Sequence, residues 1–183
     1  MAEQKETLRK LCRAAVLAAV VFVTSGIRLV IPVGEGNTAL HLGNVMCLLS
    51  GLVLGPVPGG LAAGVGSAVY DLTNPLYVAS APFTLAFKFL MAFVAGTVAC
   101  RREDLRWNFA GCGLGSLTYT ALYVTKSFLS NLWFKELPPA AAWIAVVPKL
   151  AASVVNGLIA VVVAAPLAVW VSMALKRAGW AEP

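Results

Sequence analysis

The chain has 183 residues, of which 60% are hydrophobic and only 12% charged, with a formal net charge of +6. An ordinary soluble domain is roughly half apolar and about a quarter charged, so this composition cannot coat a water-facing surface and excludes a soluble enzyme. The basic residues fall in short segments between hydrophobic runs, which is a membrane-topology signal and not a nucleic-acid-binding stripe.

The expected fold is all-α, an integral membrane bundle of six transmembrane helices forming one domain over residues 1–183. Lys5, Arg9, Lys10 and Arg13 precede the first apolar run. No A-x-A-like site ends that run and further spans follow, so it reads as a retained helix, about 7–30, and not a cleaved leader. It stops before Pro32 and the Gly-rich loop from Val33 to Thr38. A second helix, about 41–55, reads HLGNVMCLLSGLVLG, and the following PVPGG is expected to turn the chain into a third, about 60–71. Both are short for a full crossing. The loop LTNPLYVASAP leads to a fourth helix at about 83–100, which stops at RREDLR; the fifth covers about 108–133 and the sixth about 143–175.

Six spans place the N-terminal basic cluster, Arg101, Arg102 and Arg106, and Lys176 and Arg177 on one side, which the positive-inside rule makes the cytoplasm, with both termini inside. Glu35, Asp71 and the Lys135 and Glu136 pair fall toward the other side. Cys12, Cys47, Cys100 and Cys112 lack metal-ligand spacing, so neither a metal nor a disulfide is expected.

Lys88, Lys126 and Lys149 lie inside apolar runs. Each costs at least ~2.5 kcal/mol at the centre of a membrane helix, which makes an intramembrane charge a functional-site candidate, against the plainer reading that it snorkels to the interface. Helical spacing gives each lysine polar company. Thr84 is one turn before Lys88; Tyr119, Tyr123, Lys126, Ser130 and Trp133 form a stripe; Lys149, Ser153 and Asn156 form another; His41, Asn44, Ser67 and Asp71 come from the second and third helices. By the topology above, all belong to the outer half or the midplane. Independent snorkelling does not require hydroxyls and amides to line up with the lysines, so a shared outward-facing pocket is expected, suited to a small polar heterocycle. The lysines then hold a phosphate, a carboxylate or ring oxygens of the ligand, or they pair with Asp71 or Glu35. Trp107, Trp133, Trp143 and Trp170 read as interfacial anchors or packing, with Trp133 and Trp143 candidate exceptions.

Ala14, Ala15, Ala18 and Ala19 give the first helix a small-residue face, and Gly51, Gly55, Gly60 and Gly64 punctuate the next pair; such spacing serves close helix packing of any kind. No phosphate-binding loop, zinc-protease motif or catalytic triad is present, and no cofactor is expected. Uphill transport therefore requires energy from a partner or an ion gradient.

The size, six helices and inside termini, together with HLGNVMCLLSGLVLGPVPGGLAAGVGSAVYDL and APFTLAFKFLMAFVAG, resemble the substrate-binding S component of an energy-coupling factor (ECF) vitamin transporter. The resemblance extends over almost the whole chain. It implies a multi-pass protein of a prokaryotic plasma membrane that captures a water-soluble vitamin from outside. It also implies a membrane T component docking on Ala14, Ala15, Ala18 and Ala19, and two cytoplasmic ATPases as partners. The region of the third and fourth helices resembles the branch that includes riboflavin, hydroxymethylpyrimidine and pyridoxine-type components, whose helix-four lysine corresponds to Lys88. Pyridoxine or hydroxymethylpyrimidine is the first choice, riboflavin the second, and an anionic vitamin such as pantothenate the third, favoured if the lysines lack carboxylate partners. The competing classes are a self-contained secondary transporter or channel, and a membrane-embedded enzyme or scaffold.

Overall fold

A computed structural model describes residues 2–33, 36–99 and 104–179. Glu35, Cys100, Arg101 and Arg102, which entered the topology argument, lie outside the described residues. Six helices make the body of the protein: α1 (Ala2–Gly26), α2 (Gly43–Leu54), α3 (Pro56–Thr73), α4 (Ala81–Ala99), α5 (Leu105–Trp133) and α6 (Pro139–Arg177). Between α1 and α2 the strands β1 (Arg28–Val33) and β2 (Gly36–His41) pair antiparallel, Arg28 opposite His41 and Val33 opposite Gly36.

This hairpin corrects the expected first span and the loop after it. The helix stops at Gly26, four residues earlier than expected, because the apolar run that follows suits a strand as well as a helix. Pro32 then tips the balance. It cannot continue a helix, yet it is tolerated in a ribbon whose two strands are both edges. The expectation of helix holds for the bundle, and the hairpin is an addition at one end of it.

The second correction concerns PVPGG, expected to be a turn. The chain breaks only at Gly55, whose φ of 85° is open to glycine, and Pro56 already begins α3. Prolines in a first helical turn lose no hydrogen bond, because those N–H groups have no intrahelical partner. The remaining helices start a little before their expected positions for similar reasons. The carboxylate of Asp104 accepts a hydrogen bond from the Arg106 backbone N–H at 3.0 Å and caps α5, while Pro139 opens α6.

The interior is built from small side chains. Gly51 of α2 lies against the backbone of Ala92 in α4, and a Cβ at Gly96 would fall 2.6 Å from the Gly51 carbonyl oxygen. Gly66 of α3 sits against the Ala18 carbonyl of α1 in the same way. Val21, Leu48, Met91, Cys112, Ala160 and Ala164 are fully buried around these contacts. Large apolar side chains point outward instead. Val57, Leu61, Val65, Val69 and Leu72 form an exposed stripe along α3, and Ile144, Leu158 and Val162 are exposed on α6. Two stretches among the described residues, Val78–Ala99 and Pro139–Arg177, are long and apolar enough to cross a membrane. The short α2 is the innermost helix, with eight of its twelve residues buried.

Candidate functional site: a polar cup at the hairpin end

A cavity of about 260 Å³ opens at the hairpin end of the bundle. Its walls come from the C-terminal parts of α1 (Ser25), α3 (Ser67, Asp71) and α5 (Tyr119, Tyr123, Lys126, Ser127). The N-terminal parts of α4 (Phe83, Thr84, Phe87, Lys88) and α6 (Lys149, Ser153, Asn156) complete them. Such an arrangement requires successive helices to run in alternating directions. Arg28 and His41 at the hairpin base, and Leu76, Tyr77 and Ser80 from the α3–α4 connection, close the rim.

Lys88 is 3% exposed at the centre of this wall. Its ammonium donates a hydrogen bond to Asn44 Oδ1 and lies 3.9 Å from the centre of the Tyr119 ring. Asn44, only 1% exposed, holds the lysine from behind and is not itself part of the cavity wall. Asp71 accepts a hydrogen bond from the Thr84 hydroxyl at 2.5 Å and does not pair with a lysine. On the far side, Tyr119 and Tyr123 stack at 5.9 Å, and the Thr120 and Ser153 hydroxyls bond at 2.8 Å, joining α5 to α6.

His41 ties the hairpin to the cup, since its backbone N–H donates to Asn156 Oδ1 at 3.0 Å. Its side-chain Nδ1 is buried without a hydrogen-bond partner, as is the Tyr77 hydroxyl. Burial pushes the His41 imidazole well below its usual pKa, and the charges of Lys88 and Arg28 push the same way, so the ring is neutral. Two buried polar atoms facing a cavity without partners are candidate ligand contacts, because leaving them unmade is costly.

Of the candidates named from sequence, Lys88, Lys126, Asp71, Thr84, Tyr123, Lys149, Ser153, Asn156, Tyr119 and His41 all meet at this cavity. Ser130 and Trp133, placed on the α5 stripe by spacing, do not; Trp133 is 72% exposed at the helix end, and Ser127 takes the wall position. Trp143 is half exposed and packs edge-on against Phe128, also away from the cup. Sequence reading missed Arg28, whose guanidinium lies 4.2 Å from the Tyr70 ring and 4.7 Å from the Tyr77 ring while its Nε donates to the Ser25 carbonyl. The signal was present, since Arg28 is the lone charge between Ala14 and Val33. Tyr77, Phe83 and Phe87 gave none, being aromatic residues among many. On α1, the four alanines divide: Ala15 and Ala19 are exposed, while Ala14 and Ala18 are half-buried, Ala18 against α3.

A helical bundle with outward apolar stripes, a closed small-residue interior and a polar, aromatic cup at one end defines a solute-binding protein of the membrane. The family described as ECF-type riboflavin transporter, S component, matches residues 5–176, and the chain belongs to it. It is therefore a transport protein, a substrate-binding component and not an enzyme, in a family of the prokaryotic plasma membrane. A protein from Pyrococcus woesei, described as an uncharacterized protein in gap 3′ region, is 31% identical over 111 residues, 61% of this chain and 72% of that one. No solved structure matches the chain.

Proposed function

We propose that the cup captures a small water-soluble vitamin or vitamin precursor from the outer side of the membrane, for uptake driven by partner subunits. The observation that carries this reading is the convergence of ten sequence-nominated polar and aromatic residues on one cavity beside the hairpin. In the proposed topology all six helices cross the membrane, with the cup outside and both termini in the cytoplasm. Arg9, Lys10, Arg13, Arg106, Lys176 and Arg177 belong to the helix ends opposite the cup, in keeping with the positive-inside rule. The twelve residues of α2 span only about 18 Å. That deficit against a ~30 Å core is tolerable because α2 is shielded from lipid by its neighbours.

A pyridine or pyrimidine vitamin of the pyridoxine or hydroxymethylpyrimidine type is the first choice, and riboflavin, named in the family's description, is the alternative. At about 260 Å³ the cavity falls just below the roughly 300–1,000 Å³ of ordinary ligand pockets, which favours one ring over a fused three-ring flavin. Tyr119, Tyr123, Phe83 and Phe87 supply stacking surface, and Lys88, Asp71 and His41 supply polar contacts. A self-contained channel or secondary transporter gains no support, because fully buried Leu48, Met91, Cys112 and Ala160 fill the interior.

The coupling partners in this reading are a membrane T component, docking on the exposed Ala15 and Ala19 with Ala14 and Ala18 beside them, and two cytoplasmic ATPases. Binding of riboflavin, pyridoxine, hydroxymethylpyrimidine and pantothenate to the purified protein in detergent, by calorimetry, tests capture. At least one is expected to bind below micromolar, and failure of all four overturns the reading. Ala15→Trp with Ala19→Trp is expected to leave that binding unchanged while abolishing uptake in cells; lost binding would remove the case for a separate docking face.

A further inference from the structure

The cup is unbalanced in charge. Four cations line it, Arg28, Lys88, Lys126 and Lys149, against the single carboxylate of Asp71, and among the described residues none of the four is ion-paired. Two of them have other partners. Arg28 lies against two tyrosine rings and donates to a carbonyl, and Lys88 is fixed by Asn44 and Tyr119. Asp71, held by Thr84, is on the α3–α4 side with them.

Lys126 and Lys149 stand apart on the α5–α6 side. Neither makes a hydrogen bond or an ion pair among the described residues; the nearest company for the Lys126 ammonium is the Phe83 ring, 5.0 Å from its centre. Like charge acts unfavourably on Lys149 from Lys135, on the loop before α6, and to a smaller extent from Lys126. Snorkelling does not account for them, because both are half-buried and line the cavity. They also sit about 10 and 15 Å from the helix ends, taking Lys126 as seven residues before Trp133 and Lys149 as ten after Pro139.

We infer that the substrate captured here carries an anionic oxygen group, a carboxylate or a phosphate, and that Lys126 and Lys149 receive it. The inference rests on the capture reading and narrows its substrate class to anionic vitamins or precursors, setting neutral pyridoxine, hydroxymethylpyrimidine and riboflavin behind them. A neutral heterocycle entering the cup leaves the Lys126 and Lys149 ammonium groups on the α5–α6 wall without a counter-charge, and like charge from Lys135 and Lys126 acts on Lys149. An anion between them turns that repulsion into two charge-assisted contacts, and lysines serve such groups as mobile point charges. The heterocycle then stacks between the tyrosines and phenylalanines, toward Lys88 and His41.

Matched pairs test this directly: nicotinate against nicotinamide for a carboxylate, and pyridoxine 5′-phosphate against pyridoxine for a phosphate, each titrated calorimetrically into the detergent-solubilised full chain. The anionic member of at least one pair is expected to bind about tenfold or more tighter, with the preference shrinking as salt rises. Which pair shows it distinguishes the two groups. Lys126→Gln combined with Lys149→Gln is expected to erase the preference, bringing the anionic member down to the affinity of its neutral counterpart. Lys126→Arg is expected to keep it, which separates lost charge from a damaged fold. Equal or tighter binding of the neutral members, a preference that survives the double substitution, or binding of riboflavin alone would overturn the anionic assignment and leave vitamin capture standing. If neither these pairs nor the wider vitamin panel binds, the capture reading fails and this inference with it.

Discussion

The two ends of the bundle are made from the same six helices and differ in almost every physical respect. At the hairpin end, hydroxyls, amides, four cations and stacked aromatic rings surround open space. Away from it, glycine and alanine bring backbones into direct contact, as at Gly51 with Ala92 and Gly111 with Ala95, and the buried Ser50 and Asn108 side chains are spent on the Gly59 and Ala165 carbonyls. The difference puts the open space at one depth and close packing beside it, so the cup does not continue as a path through the described chain. Close packing supplies the rigidity against which a cup lined by uncompensated charge can keep its shape.

The sharpest way to break this comparison is to pry open the packed region. A Cβ at Gly51 would meet the backbone of Ala92, which cannot swing aside as a side chain can. Gly51→Leu is expected to cost at least about 3 kcal/mol, the upper range for overpacking, and to abolish a monodisperse peak in detergent. Leu61→Ala, on the exposed stripe of α3, serves as the nearly silent control. An unchanged thermal midpoint in Gly51→Leu would mean that the two ends are not structurally distinct.

A smaller and more selective effect is expected at Lys88. Lys88→Met removes a buried cation that has no ion-pair partner, so affinity for any ligand the protein binds should fall about 100-fold while the thermal midpoint moves by only a few degrees. Two opposing terms keep the midpoint steady. Desolvation of the ammonium is relieved, and the amide oxygen of Asn44 loses its donor. A large loss of stability with affinity intact would make Lys88 a structural post and move the site elsewhere.

How much of this was legible beforehand follows from which interactions are periodic. Lysines in apolar runs, and polar residues three or four positions away, are visible along one helix, which is why Lys88, Lys126, Lys149 and their neighbours were found. The hairpin was not legible, because the short apolar run after Arg28 carries no period that separates strand from helix. Arg28 was lost with it, since a charge near the supposed end of a span reads as a boundary. Tyr77 and Ser80 lie in a connection whose local turns, begun at Asn74, are legible as turns but do not tell that it folds over the cup. The α5 stripe was extended nearly two turns too far, to Trp133, because spacing gives a direction around a helix but not where the neighbouring wall ends. The charge imbalance needed coordinates as well. From sequence, Asp71 was an available partner for a lysine; in the fold it is taken by Thr84.

The smallest expected effect lies at the rim of the hairpin end, where the hairpin base meets the cup. His41 is buried and neutral, with Lys88 and Arg28 the cations that act on it. Its folded pKa is depressed well below 6.5, whereas an unfolded or detached hairpin binds a proton near 6.5. The contribution is therefore fully present above pH 6.5, and stability is lost as pH falls below that value toward the depressed folded pKa, by at most about 1.4 kcal/mol per pH unit. The thermal midpoint of the ligand-free protein should drop by a few degrees between pH 7.5 and 5.5, and His41→Gln, which cannot titrate, should flatten that slope. The opposite sign, a midpoint that rises on acidification in the wild type and not in His41→Gln, would mean that the imidazole gains an acceptor on protonation. The hairpin would then be fastened to the cup by a charge, and not by the neutral contacts that now join it, the backbone N–H of His41 to Asn156 among them.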